Sequence, residues 1–166
     1  MTQDTSELPI VPIIMGSRSD MAYAEQLGAA LTEFDIDSEF RVASAHKSPG
    51  HLLSLLATYE ADPRPKVYVT IAGRSNALGG MVDACVSAPV ITCPPYSDQF
   101  GGADVFSSLR MPSGVAPALV LDPRGAALTV AKILALGRPA LRAKINALHK
   151  RSTDKLLSDD AEVRGA

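Results

Sequence analysis

The chain has 166 residues, of which 46% are apolar and 20% charged, with a net charge of −2. That suits one domain with a single core, and it leaves no overall field to draw the protein to nucleic acid or anionic lipid. With no Trp, four Phe and four Tyr, platforms for base stacking are not expected.

Apolar runs and helix-like stretches alternate along the chain. "IVPIIM" (10–15) reads as a short buried strand. Residues 20–34 read as a helix, with Ala22, Leu27, Ala30, Leu31 and Phe34 on one stripe and Asp20 as a candidate N-cap. "SEFRVA" (38–43) is a second strand. Residues 48–60 form a helix opened by Ser48 and Pro49, a favourable cap and first-turn pair. "KVYVTIA" (66–72) is the third strand, introduced by the turn "DPRP", and a helix follows from 78 to 86. "PVITC" (89–93) is the fourth strand, 102–110 a helix and "APALVL" (116–121) the fifth strand. Helices at 124–136 and 140–158 close the chain, separated by Gly137 and Pro139.

Short apolar strands alternating with helices predict a parallel sheet covered on both faces. The chain reads as one domain over 1–166, with its core at 10–136 and a terminal helix at about 138–160. Leu141, Ile145, Leu148, Leu156 and Leu157 give that helix an apolar stripe. Since the sheet already has its covering helices, the stripe is expected to dock on a neighbouring subunit. Cys85 and Cys93 do not form a disulfide-framework pattern and are expected to be buried, reduced thiols. The polar, acidic start "MTQDTSELP" is unlike a signal peptide and no apolar run reaches membrane-spanning length, so the expected location is the cytoplasm, with no membrane partner.

Ligands of such sheets sit beyond the carboxyl ends of the strands, where strand order reverses. Strand 1 runs into "MGSRSD" (15–20). Gly16, Ser17 and Ser19 before a helix start make a phosphate cradle, and Asp20 either caps the helix or holds ribose hydroxyls. The pattern is neither G-x-G-x-x-G nor a Walker A loop. Strand 2 runs into "ASAHKSPG" (43–50). A lone histidine is commonly structural, and His51 and His149 are read that way. His46 differs because it stands at a strand end among the small residues Ser44 and Ala45, beside Lys47, which can hold an anion. Imidazole suits a step that needs a base and then an acid. Strand 3 runs into "GRSNALGG" (73–80). There Gly73, Gly79 and Gly80 allow close backbone approach or positive φ, Ser75 and Asn76 offer hydrogen bonds, and Arg74 is placed for phosphate or a neighbouring subunit. Beyond strand 4, residues 93–114 are rich in Pro, Gly and hydroxyls and read equally as a lid, a subunit contact or a rigid connector.

In that order, "MGSRSD", "SAHKSP", "AGRSNALGG" and "SSLRMPSG" resemble the PurE family of purine biosynthesis over about residues 10–136. Class I members, which move a carboxyl group within N5-carboxyaminoimidazole ribonucleotide, typically show "SAHRTP" and a "GGAAHLPG"-like loop with a second histidine. Here Lys47 follows His46, and Ala77 stands where that histidine would fall. The pattern is similar to class II, the aminoimidazole ribonucleotide carboxylases, a branch that includes the animal carboxylase domain fused to a synthetase. Ala77 stands where that animal branch commonly has glycine.

The resemblance implies a flavodoxin-like three-layer α/β/α sandwich, a homo-octamer with sites at subunit contacts, and no metal, biotin or ATP. The implied substrates are aminoimidazole ribonucleotide and CO2. The implied catalytic residues are His46, Lys47 and Ser75. The implied substrate-binding residues are Gly16, Ser17, Ser19, Asp20, Ser44, Ala45, Gly73, Arg74, Asn76 and Leu78. A flavodoxin-like electron carrier, with Tyr96 and Phe100 as its only flanking aromatics, and a phosphoacceptor receiver share the architecture. A receiver would need acids where strands 1 and 3 end in "GSRSD" and "AGRSN". A non-catalytic ribonucleotide-binding module would keep the cradle without needing His46.

Overall fold

A computed structural model describes residues 8–165. The strands are β1 (Ile10–Met15), β2 (Asp37–Val42), β3 (Tyr68–Ile71), β4 (Val90–Thr92) and β5 (Ala118–Leu119). The helices are α1 (Met21–Thr32), α2 (Pro49–Glu60), α3 (Ala77–Cys85), α4 (Phe106–Leu109), α5 (Pro123–Leu134) and α6 (Ala140–Arg164). The strands form one five-stranded sheet in the order β2-β1-β3-β4-β5, and every pairing is parallel.

Alternation along the strands divides the core between two faces. Val11, Ile13 and Met15 of β1, with Val69 and Ile71 of β3, pack against α1, α5 and the start of α6. Ile10, Ile14 and Tyr68 point the other way, against Leu52, Leu55 and Leu56 of α2 and Leu78 and Val82 of α3. This is the expected three-layer, flavodoxin-like sandwich. β1 and β3 are fully buried, as suits strands between two helical layers. β2 is an edge strand, with Phe40 39% and Val42 43% exposed.

Three elements depart from expectation. Residues 102–110 do not form one helix. A 3-10 turn over Gln99–Val105 contains three successive left-handed residues, Phe100 (φ 60°), Gly101 and Gly102, and only Phe106–Leu109 is α-helical. β5 has two residues instead of six, pairing Ala118 and Leu119 with Ile91 and Thr92. Pro117 just before it has no N–H to extend the ladder.

The third departure is α6, which reaches Arg164 and divides its apolar stripe. Leu141 and Ile145 are buried in the chain's own core beside α1 and α5, and Lys144 pairs with Asp35. Leu156 and Leu157 stay exposed. The face containing α1 and α5 was therefore not fully covered, and the first turns of α6 complete it. The thiols differ as well. Both are free, but only Cys93 is buried while Cys85 is exposed, and burial pushes the Cys93 thiol up to about 11.

Ile145→Ala should therefore lower the unfolding free energy of the chain by about 3 kcal/mol in urea denaturation. A loss below about 0.5 kcal/mol, the size of an ordinary surface change, would mean that α6 is not part of this core.

Candidate functional site

The carboxyl ends of β1, β2 and β3 lie side by side, and ladder bonds continue past the strands. Gly16 N–H donates to Ile71 C=O at 2.9 Å and Ala43 N–H to Met15 C=O at 2.9 Å. The loops that leave these ends surround one open hollow of about 730 Å³. Gly16, Ser17, Ser19 and Asp20 enter it from β1. Ser44, Ala45, His46 and Lys47 enter from β2, and Gly73, Arg74, Ser75 and Leu78 from β3. Of the residues singled out from the sequence at these three strand ends, Asn76, Gly79 and Gly80 do not line it.

The first loop is pre-shaped by its own hydroxyls. Ser17 is extended (φ −153°), and its Oγ accepts from Ser19 N–H (3.2 Å) and from the Ser19 hydroxyl (2.9 Å). The Ser17 hydroxyl proton is left for an anion, and the positive end of the α1 dipole lies behind it. Asp20 stands at the N-cap position of α1 but makes no capping bond, so of its two sequence readings the helix cap is removed. Burial raises the pKa of its carboxyl, with bonds from the Ser17 backbone and Ser19 opposing the shift. The free protein thus carries a partly desolvated carboxylate with no cation beside it in any ion pair among the described residues.

The second loop is a turn closed on itself. Ser44 N–H donates to Ser48 Oγ (3.0 Å), Lys47 N–H to Ser44 Oγ (3.2 Å) and Ser48 N–H to Ser44 C=O (3.0 Å). Ser48 therefore does not cap α2 as expected, because its hydroxyl is turned back onto Ser44. Pro49 does hold the first turn. The side chains of His46 and Lys47 make no hydrogen bond within the described residues and are exposed to the hollow.

The third loop corrects the reading of its glycines. None of Gly73, Gly79 and Gly80 has positive φ; the left-handed residue is Arg74 (φ 65°), a conformation that costs a non-glycine residue about 1–3 kcal/mol. Ser75 N–H folds back to Gly73 C=O at 2.8 Å, an i→i+2 closure. Arg74 N–H donates to Asp104 Oδ2 (3.2 Å) and Asn76 N–H to Ser107 Oγ (3.0 Å).

Asn76 is buried. Its Oδ1 accepts from Gly79 N–H (3.0 Å), capping α3, and its Nδ2 donates to Thr92 Oγ1 (3.1 Å). Its amide faces the core, not the hollow, so it anchors the loop and cannot supply a ligand donor from this position. Gly79 is required because a Cβ there would meet Asn76 Oδ1 at 2.5 Å and Thr92 Oγ1 at 2.6 Å.

Pro95, Tyr96, Ser97 and Gln99 complete the hollow and had not been assigned to it from the sequence. The usable signal was "CPP" directly after a buried strand. Ala72–Arg74 and Pro95–Ser97 also form one wall of a smaller, largely apolar cavity of about 200 Å³ backed by Asp104, Val105, Ser107 and Leu121. Tyr23 braces this region from behind. Its hydroxyl donates to Leu121 C=O (2.8 Å) and lies 3.2 Å from Pro94 C=O.

Comparison with known proteins identifies the family. The family model for AIR carboxylase matches residues 10–155. The chain belongs to the AIR carboxylase family of enzymes. It is similar to a phosphoribosylaminoimidazole carboxylase of Archaeoglobus fulgidus, with 51% identity over 92% of this chain and 83% of the relative. The crystal structure of Treponema denticola PurE superposes with a TM-score of 0.91 at 49% identity, covering 93% of this chain and 98% of that one. The bifunctional phosphoribosylaminoimidazole carboxylase/phosphoribosylaminoimidazole succinocarboxamide synthetase of Mus musculus is 41% identical over 93% of this chain, which spans 36% of that longer protein.

Two consequences can be measured. Gly79→Ala should cost about 2 kcal/mol in chemical denaturation. Gly73→Ala, with nothing within 4 Å of the added carbon, should leave stability unchanged. Asp20→Asn should stabilise the free protein at pH 7. The folded pKa of Asp20 lies above its ordinary 3.8, so its cost is full above the folded pKa and gone below the ordinary one. The gain from Asn should fade as pH falls through that window, read as unfolding midpoint against pH.

Proposed function

We propose that this enzyme carboxylates 5-aminoimidazole ribonucleotide at C4 with free CO2, without ATP, in purine biosynthesis. It is a class II enzyme on this reading, working in the cytoplasm as a homo-oligomer, an octamer by family resemblance. Membership of the AIR carboxylase family supports the substrate. The observation that carries the mechanism is that His46, Lys47 and Ser75 open onto the hollow that also holds Ser17, Ser19 and Asp20.

The phosphate is received by the β1 loop, with the Ser17 hydroxyl donating, Ser19 holding that oxygen in place and the N-terminus of α1 facing the anion. Asp20 takes the ribose hydroxyls, whose O–H donors add to the bonds its partly desolvated carboxylate receives from the Ser17 backbone and Ser19. This directs the imidazole toward the ends of β2 and β3. Its C4, an enamine-like carbon, attacks the carbon of CO2. A C–C bond forms, one C=O π pair moves to oxygen and a carboxylate results. Donors already aimed at those oxygens favour the transition state over the ground state. Here they are the Ser75 hydroxyl, the Gly73 N–H and the Lys47 ammonium, since the N–H groups of Arg74 and Ser75 are held by Asp104 Oδ2 and Gly73 C=O. Holding CO2 in line with C4 can contribute up to about 7–11 kcal/mol, the ceiling for well-oriented intramolecular reactions. His46 then removes the C4 proton, restoring aromaticity, and in reverse returns it so that CO2 departs.

Free CO2 as the one-carbon source is favoured over the N5-carboxy isomer by Lys47 after His46 and by Ala77, a methyl where class I members typically have a second histidine. His46→Asn should reduce turnover by about 10²–10⁴-fold, the usual worth of general acid–base catalysis, in bicarbonate-buffered assays with the ribonucleotide. Unchanged turnover would remove the proton-carrier role. Offered aminoimidazole ribonucleotide with CO2 or the N5-carboxy isomer alone, the enzyme should use the former. Preference for the isomer would make it a class I mutase.

A further inference from the structure

Ser75 sits in a loop whose conformation its own residues do not favour. Arg74 is left-handed at φ 65° with a full side chain, and a side-chain carbon added at Gly73, just before it, would meet nothing within 4 Å. Loop closure from Ser75 N–H to Gly73 C=O is local and does not fix where the loop lies relative to the hollow.

Two side chains from a different part of the chain supply that fix. The Asp104 carboxylate accepts the Arg74 N–H at 3.2 Å and the Ser107 hydroxyl oxygen accepts the Asn76 N–H at 3.0 Å, so the two bonds bracket Ser75. The same Ser107 hydroxyl donates to Asp104 C=O at 2.8 Å, which locks the two acceptors to each other. Asn76 is separately held to β4 through Thr92. The bracket reaches across about thirty residues of sequence and comes from the 3-10 segment Gln99–Val105 and α4, which have no side chain in the candidate chemistry.

We propose that Asp104, seconded by Ser107, is a positioning residue. It holds Arg74 N–H, and thereby Ser75 and the Gly73–Ser75 backbone, in the orientation that receives the one-carbon substrate. This rests on the carboxylase reading above. The predicted signature is selective. The phosphate cradle and His46 lie on other loops, so losing the bracket weakens the use of CO2 without weakening binding of the ribonucleotide. Because the acceptor matters and not the charge, an amide oxygen at the same position serves.

The test measures kcat/KM for CO2 and KM for aminoimidazole ribonucleotide in wild type, Asp104→Ala, Asp104→Asn and Ser107→Ala. Backbone amide hydrogen exchange of residues 73–77 is measured on the same four proteins. Asp104→Ala should lose roughly tenfold or more in kcat/KM for CO2, the scale of one hydrogen bond to a charged group. Its ribonucleotide KM should stay within about twofold and exchange at Arg74 should be faster. Ser107→Ala should show a smaller loss of the same kind, and Asp104→Asn should return most of both readouts. The proposal is overturned if Asp104→Ala matches wild type in CO2 use, if its loss falls equally on both substrates, or if Asp104→Asn is as impaired as the alanine variant. Should wild type consume no ribonucleotide with CO2, the carboxylase reading itself has failed. Exchange then decides the bracket alone, and unaltered exchange at Arg74 in Asp104→Ala removes it.

Discussion

In the middle of the sheet β1 lies beside β3, and the chain leaves these two neighbours in opposite directions, toward β2 on one side and β4 on the other. The loops after β1 and β3 must therefore part, and the crevice between them is where parallel α/β sheets take their ligands. The ladder persists to the last residue on each side, with Gly16 bonded to Ile71 and a distance of only 3.4 Å from a Cβ at Gly16 to that of Ala72. The mouth of the crevice is thus lined by small residues and main chain. Everything assigned to phosphate, proton and CO2 depends on that parting at β1 and β3.

Within the crevice the polar groups divide by direction. Those that face inward define backbone. Asn76 joins α3 to β4, and Ser44 and Ser48 close the turn that bears His46. Those that face outward, His46, Lys47 and Ser75, have side chains free of protein partners among the described residues. This is the arrangement that pre-organised catalysis requires: geometry set by one group of residues and chemistry left to another. It also locates the strain. Arg74 in a left-handed conformation and Asp20 partly desolvated with no cation paired to it among the described residues are both unfavourable in the free protein, and both lie where a ligand is assigned.

The sheet was legible because its central strands are short, nearly continuous apolar runs separated by helix-like stretches, and because the residues after β1, β2 and β3 are small and polar where a core would need neither. The direction in which a side chain points was not legible. In the string "GRSN", Ser75 and Asn76 are equivalent, and only the depth of Thr92 beneath the loop turns one outward and the other in. The glycines suggested close approach or positive φ; Gly79 meets the first, being small to clear Asn76 and Thr92, while the left-handed position falls to Arg74. Residues 102–110 read as one helix, but Gly102 is left-handed and the stretch up to Val105 is a 3-10 segment, so only Phe106–Leu109 is α-helical. α6 was misjudged in its first half because a count of helices does not reveal how much of a face they cover. Leu141 and Ile145 are needed to seal α1 against α5, whereas Leu156 and Leu157 extend past it.

The most direct measurement of the central claim is a crystal structure of this enzyme with aminoimidazole ribonucleotide bound. The account predicts the phosphate against Ser17, Ser19 and the N-terminus of α1. It predicts the ribose hydroxyls on Asp20, and C4 facing the His46 ring on one side and Ser75 on the other. A ribonucleotide seated elsewhere, such as the groove between α1, α5 and α6 lined by Phe34, Arg124 and Arg151, would contradict it. So would one in the crevice with C4 turned away from both residues.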